Sequence, residues 1–238
     1  MLSAVTEDYL KTIYILQREA DEEGGEDDRP ARVSTSAIAD RMDVTAPTVT
    51  SMLDKLEERG LADREKYRGV ELTPEGETVA IEVIRHHRLI EAYLAEALDY
   101  EWTDVHEEAD RLEHHISERF EERIAEVLGD PSVDPHGDPI PRADLSPPER
   151  GEGDRLDECE VGDRVTVKRV RHRTEDELRY LAEAGIEPGT ALTLAEVAPF
   201  GMITVEGPDG EQSLPAGVAR LIDVSPGPES EPELAREG

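Results

Sequence analysis

Apolar residues recur along this chain first at helical spacing and later at strand spacing, and the change of period divides it. Between Thr6 and Gln17, Tyr9, Leu10, Ile13 and Leu16 fall three and four apart, which predicts a helix. The segment DEEGGEDDRP, Asp21 to Pro30, carries nothing apolar and reads as an acidic loop. Ser34 to Met42 predicts a short helix with Ser34 or Ser36 as N-cap. The turn Asp43-Val44-Thr45 leads to a second helix, Ala46 to Arg59, with Pro47 in its first turn and Gly60 as its C-cap. Leu61 to Leu72 alternates on either side of Lys66-Tyr67-Arg68-Gly69, the mark of a β-hairpin. Helix, turn, helix, hairpin is the order of a winged helix-turn-helix.

Thr73, as N-cap, and Pro74 open a longer helix to about Leu98, and a further one is expected from about Thr103 to Leu128. DPHGDPIP, Asp134 to Pro141, is too rich in Pro and Gly to be helical. A polar linker follows. From Val161 to Val224 the period falls to two in VTVKRV, ALTLAEV and MITVEG, with one helix, Glu175 to Ala184, between them. A small five-stranded β-barrel is expected there, and a disordered tail after it. The fold class is mainly α with β. Its divisions are 1–73, 74–145, a linker 146–160, 161–225 and a tail 226–238.

Charge changes the picture of the surface but not of the fold. Of 238 residues, 58 are Asp or Glu against 26 Lys or Arg, a net charge of -32 with pI ≈ 4.4. Only 4% are aromatic, a composition that disordered chains share, yet the periodic apolar positions require packed domains. The acid is spread along the whole chain. Such a coat suits a cytoplasm with molar salt, so a halophilic source is expected. The single cysteine, Cys159, excludes an internal disulfide and a Cys-type zinc site. No run approaches the ~18 apolar residues of a membrane span. MLSAVTEDYL lacks the basic start of a signal peptide, so a cytoplasmic protein with no membrane partner is expected.

The chemistry concentrates in one place. Five of the seven histidines lie between His86 and His115. In VHEEADRLEHHIS, helical spacing collects His106, Asp110, Glu113 and His114 along one broad stripe. His87 and Glu91 stand four apart on the preceding helix. Imidazoles mixed with carboxylates are what a divalent cation held by nitrogen and oxygen donors needs. His86, His115, His136 and His172 are read as ordinary core or surface residues, and Trp102 as a packing residue.

A helix-turn-helix presents the start of its second helix to the major groove. Here that end offers Thr45, Pro47, Thr48, Thr50 and Ser51, small groups suited to thymine methyls and phosphates, with Ser36 on the preceding helix. Lys55, Arg59, Arg64, Lys66, Tyr67 and Arg68 are the candidate backbone contacts from the helix end and wing. From Ser34 to Leu72, six Lys or Arg face eight Asp or Glu, less acidic than the chain as a whole. At ~1 M salt the screening length is about 3 Å, so distant acid repels DNA little. The same salt weakens counterion release, which leaves affinity to dimer geometry and base contacts.

Several motifs in order resemble the diphtheria toxin repressor family of metal-dependent transcription regulators: TEDYLKTIY, APTVTSMLDKLEERGL, YRGVELTPEG, RHHRLIEAYL, VHEEADRLEHHIS and DPHGDPIP. The resemblance implies a winged-helix DNA-binding domain, a helical metal-binding and dimerisation domain, and a C-terminal SH3-like, ferrous transport A-like domain. It implies a homodimer on a palindromic double-stranded operator, with no small organic substrate. It implies two cation sites per subunit for Mn²⁺ or Fe²⁺. The primary site would use Asp8, Asp110, Glu113 and His114. The ancillary site would use His87, Glu91 and His106, completed by Glu175 or Glu177. Where the iron-responsive toxin repressors carry Met and Cys, this chain has Asp8 and Asp110, harder donors that favour Mn²⁺ and, less strongly, Fe²⁺. Where the manganese-responsive branch has a second acidic ligand one turn after the aspartate, this chain has Lys11. Two rival readings share these features: a winged-helix regulator sensing a non-metal ligand, and a metal-dependent hydrolase. The hydrolase is poorly supported, because His106-Glu107-x-x-Asp110 is one ligand short of H-E-x-x-H and no nucleophile elbow or phosphate loop is present.

Overall fold

The computed structural model describes residues 2–22, 31–65, 67–148, 153–171, 174–199 and 201–227. Residues 23–30 of the acidic segment, Lys66, His172 and the tail from 228 onward lie outside these. The chain forms two compact units. One comprises Met1–Ile90, Ala109–Ile124 and Ile140–Pro148, the other Glu91–Glu108, Ala125–Pro139 and Glu149–Gly238.

The first unit holds α1 (Ala4–Glu22), α2 (Thr35–Arg41), α3 (Ala46–Glu58), β1 (Ala62–Glu65), β2 (Gly69–Leu72) and the first part of α4 (Pro74–Leu98). Helix α1 begins earlier than its apolar repeat. The carbonyl of Ser3 accepts from the amides of Thr6 and Glu7, and its hydroxyl also accepts from Thr6. One face of α1 buries Tyr9, Leu10, Ile13 and Tyr14 against Ile38, Val49, Leu53, Leu56, Val70, Ile81 and Ile84. Ser34, not Ser36, caps α2, accepting from the Ala37 amide at 3.1 Å. Gly60, with φ +70°, closes α3 in the left-handed region that favours glycine. Strands β1 and β2 pair antiparallel from Ala62↔Leu72 to Glu65↔Gly69, and Val33 adds a bridge to Val70. This is the winged helix-turn-helix read from the sequence.

The single helix expected over 103–128 is two helices, α5 (Val105–Leu112) and α6 (Glu118–Leu128). Ser117 starts the second: its hydroxyl accepts from the Phe120 amide at 3.3 Å and its carbonyl from Glu121 at 3.0 Å. Helical periodicity continues through the break because the turn keeps Glu113 and His114 close to helical spacing, with the Glu113 amide still bonded to Ala109.

The second unit carries a six-stranded antiparallel sheet ordered β3-β8-β4-β5-β6-β7. The strands are β3 (Asp154–Arg155), β4 (Arg164–Val170), β5 (Ala191–Val197), β6 (Met202–Gly207), β7 (Gly210–Pro215) and β8 (Ile222–Pro226), with α7 (Glu175–Glu183) and α8 (Ala216–Ala219) between them. Val165, Val167, Leu192, Leu194, Ile203, Val205, Leu214 and Val224 point into one core with Leu178, Leu181 and Ile186. Among the described residues no ladder joins β7 to β3, so the expected five-stranded barrel is corrected to an open sheet of six. The extra strand leaves no mark in the sequence because β3 is two polar residues in the expected linker, with no alternation to betray it. No described helix is long and apolar enough to cross a membrane.

Candidate metal centre

Helix α1 places Glu7, Asp8 and Lys11 close together within one turn. Asp8 Oδ1 lies 2.7 Å from His114 Nε2, and Glu7 Oε2 lies 2.7 Å from His114 Nδ1. Glu113 Oε1 is 3.3 Å from His114 Nε2. Donor atoms of Asp8, Glu113 and His114 all fall within 4.8 Å of one another. Two carboxylates and an imidazole are hard-to-borderline donors and fit Mn²⁺, Fe²⁺ or Zn²⁺. A ring set between two carboxylates needs a proton or a cation on each nitrogen, since ionised carboxylates only accept.

Lys11 reaches the other side of Glu113. Its ammonium donates to Glu113 Oε2 at 2.7 Å and to Asp110 Oδ1 at 3.2 Å, and lies 3.1 Å from His87 Nδ1. His87 Nδ1 is itself 2.6 Å from Glu113 Oε2 and 3.3 Å from Asp110 Oδ1. Asp110 thus sits with Lys11 and His87, while Asp8, Glu113 and His114 group together. Burial raises the pKa of Asp8, only partly offset by the neighbouring His114. Burial pushes on Glu113 in the same direction, but His87 and Lys11 outweigh it and hold that carboxyl below its ordinary range.

A second cluster belongs to the other unit. Glu91 on α4 is 1% exposed, and its Oε1 lies 3.0 Å from His106 Nδ1 on α5. Its Oε2 is 3.7 Å from His136 Nδ1 in the DPHGDPIP loop. Donor atoms of Glu91, Asp134 and His136 lie within 4.8 Å of one another, and all three residues are buried. Burial disfavours a charged His136 ring, yet the carboxylates of Glu91, Asp134 and Asp138 prevail and hold its pKa above the usual histidine value.

Of the remaining sequence candidates, Glu177 closes the capping box of α7, its Oε2 accepting from the Thr174 amide at 3.0 Å. The Glu175 side chain lies outside the described residues. His86 bridges the Glu113 carbonyl at 3.2 Å and Glu121 at 3.1 Å, and His115 is exposed, both in keeping with ordinary roles. Trp102 packs on the C-terminal core with its ring 5.6 Å from that of His136. The sequence pattern does not place Glu7 beside His114, His136 beside Glu91, or Lys11 among the donors.

On α3 and at its two caps, Thr45, Pro47, Thr48, Ser51, Lys55 and Arg59 are exposed and Thr50 is half-buried, while Ser36 is exposed on α2. The Thr45 and Thr48 hydroxyls bond each other at 2.9 Å rather than capping an amide. At the wing tip Tyr67 is 93% exposed with φ +67°. Arg64 pairs with Asp54 at 2.8 Å and Arg68 with Glu65 at 3.3 Å.

A winged helix whose first helix shares a His–carboxylate cluster with a following helical segment defines a class: winged-helix proteins with a set of potential cation donors beside the reading head. Three family descriptions match in order. They are the N-terminal DNA-binding domain of iron-dependent repressors over residues 1–70, their metal-binding and dimerisation domain over 73–142, and the FeoA domain over 155–226. The chain is 38% identical over 232 residues to the iron-dependent repressor IdeR of Mycobacterium tuberculosis, spanning 92% of this chain and 96% of that one. It is 35% identical over 211 residues to the diphtheria toxin repressor of Corynebacterium efficiens, spanning 85% and 87%. Among solved structures, a manganese-dependent transcriptional repressor in complex with manganese superposes with TM-score 0.80 at 37% identity, covering 93% of this chain and 99% of that one. The chain belongs to the iron-dependent, diphtheria toxin repressor family.

Proposed function

We propose that this chain is a homodimeric, cytoplasmic transcriptional repressor, not an enzyme, that takes its palindromic operator when Mn²⁺ or Fe²⁺ fills the Asp8–Glu113–His114 set. It would control genes of metal uptake or storage. One observation carries the reading: carboxylates of the opening helix share His114 with the turn after α5. Occupancy by a cation ties α1, and with it the winged helix, to the segment following α5, favouring the conformation that fits paired half-sites. Asp110 completes the set by shifting from Lys11.

Lys11 sets the number of ions at this cluster. Its ammonium stands among His87, Asp110 and Glu113, where a second cation close to the first would meet a fixed positive charge. One ion at the first cluster, rather than a close pair, follows. The exposed hydroxyls and cations on α3 and the wing supply the DNA face. In molar salt, gel-shift titration of an operator fragment with Mn²⁺ and with anaerobic Fe²⁺ tests the reading. Wild type should shift only with metal, and His114→Ala should not respond. Equal binding with and without metal refutes it.

A further inference from the structure

The wing carries acid where a hairpin facing DNA should not, and one side chain gathers it. Asp63 and Glu65 alternate with Ala62 and Arg64 on β1, and Asp63 stands directly opposite Glu71 on β2. The three carboxylates therefore share one face of the hairpin, while Ala62 and Val70 turn to the core. Like charges opposed across an antiparallel pair destabilise it. Val33 bridges Val70 in the antiparallel sense, which sets Arg32 across from Glu71 on the acidic face. Arg32 Nη2 donates to Glu71 Oε1 at 2.7 Å and to Asp63 Oδ2 at 2.9 Å. Its Nη1 donates to the Asp63 carbonyl at 3.2 Å, and its Nε lies 3.7 Å from Glu65 Oε2.

The backbone beneath this guanidinium is fixed. The Val33 amide donates to the Val70 carbonyl at 2.8 Å, and the Val70 amide to the Val33 carbonyl at 2.9 Å. Gly69, with φ +103°, admits the segment: a Cβ there would stand 2.3 Å from the Val33 carbonyl oxygen. The Arg32 side chain is 17% exposed, whereas Arg68 and Tyr67 near the tip are 68% and 93% exposed. Arg32 thus directs its fork at the wing itself, and the tip is left to face a partner. A planar guanidinium with five donors serves several oxygens at once in a fixed geometry. Contacts this short persist in molar salt, where the screening length is about 3 Å.

We propose that Arg32 is a positioning residue for operator binding: it clamps the carboxylates of Asp63, Glu65 and Glu71 and so holds the wing in the shape that presents its tip to DNA. Arg32 acts through the hairpin and touches no phosphate. Without it, Asp63 and Glu71 repel across the ladder, the hairpin loosens, and the same carboxylates face DNA uncompensated. The inference rests on the reading that the winged helix takes an operator, and its test separates the two.

Operator affinity of the full-length chain, with saturating Mn²⁺ in molar salt, is measured for four proteins: wild type, Arg32→Gln, the pair Asp63→Asn with Glu71→Gln, and all three changes together. Arg32→Gln should bind about tenfold more weakly, the effect of opposed like charges left without their cation. The triple variant should return to within about twofold of wild type, and the pair alone should change affinity by no more than that. Equal gains from the pair in both backgrounds mark a general repulsion of DNA and overturn the role. Arg32→Gln binding like wild type overturns it too. So does a salt slope reduced by about one in Arg32→Gln and still reduced in the triple variant, which puts Arg32 on a phosphate. Hydrogen exchange of the Val70 amide in the metal-free chain reads the clamp without DNA. It should quicken about tenfold in Arg32→Gln and recover in the triple variant, and an unchanged rate overturns the clamp. A wild type that takes no operator overturns the functional reading and this role with it, whereas each of the other failures leaves that reading standing.

Discussion

The two clusters use the same donors in opposite settings. In the first, Asp8 is 42% exposed in its side chain, and the groups come from α1 and a turn roughly a hundred residues later. A tethered ammonium, Lys11, already sits among them. In the second, Glu91, Asp134 and His136 are all buried, and the loop that carries two of them is fixed by its own amides. A half-open set of donors brought together by elements far apart in sequence depends on an ion to hold those elements in place. A buried cluster on a loop fixed by its own amides has its frame built with or without an ion. The contrast teaches that a sensor is marked less by its donors than by how little of its frame is built without the ion.

That contrast can be broken at the first cluster most easily. Lys11→Met leaves the Glu113 carboxylate, 1% exposed, beside His87 without its ammonium. Removing one partner of a buried pair costs about 3 kcal/mol, so metal-free unfolding by urea should show a loss of that size. Mn²⁺ should restore much of it, because a cation then serves Glu113. A loss that metal leaves unchanged would make Lys11 a mere packing residue.

Saturating Mn²⁺ sharpens the comparison next. A ligand at 100 times its Kd stabilises by about 2.7 kcal/mol per site, a rise of several degrees in Tm for a chain of this size. Calorimetry should show that rise in wild type, and only part of it in Asp8→Ala. Full stabilisation of Asp8→Ala would remove the first cluster from the ledger of ions bound.

The DNA face answers to salt. Replacing an exposed cation on α3, Lys55→Gln, should weaken operator binding for all sequences alike and reduce the salt slope of log K by about one. An unchanged slope would place Lys55 off the phosphates.

The smallest effect is a control independent of metal. Burial opposes charge on His86, but Glu121 prevails and raises its pKa above 6.5. The His86 ring, the largest influence on Glu121, lowers the carboxyl of its partner with help from Arg85. Stability from the raised histidine is complete below about pH 6.5 and fades as pH rises through the folded value. Stability from the lowered carboxyl is present above its ordinary pKa and is lost only in stronger acid. His86→Gln should therefore lower Tm at pH 6, by the equivalent of about 1 kcal/mol, and by less at pH 8.5. A deficit that grows with pH would reverse the sign.

Much of this was legible in the sequence, for definite reasons. The winged helix announces itself through Pro47, Gly60 and the alternation around the wing, all local signals. His106, Asp110, Glu113 and His114 share a stripe because helical spacing survives the break at Ser117. Glu7 was hidden by its neighbour Asp8, which the family resemblance singled out. The position of Lys11 among three donors depends on α1 meeting residues a hundred places later, which no local pattern encodes. The contacts of His136 are equally hidden, because its partners come from α4 and a backbone carbonyl, and a Pro–Gly loop has no period from which to read a facing direction. Strand β3 was missed for the same want of periodicity.

The central claim is that a cation shared by Asp8, Glu113 and His114 switches the reading head. Operator affinity measured in molar salt, with and without Mn²⁺, for wild type and His114→Ala tests it most directly. Wild type should bind at least about a hundredfold more tightly with Mn²⁺, a coupling of some 2.7 kcal/mol, and His114→Ala should bind weakly in both conditions. Undiminished Mn²⁺ stimulation in folded His114→Ala would contradict it.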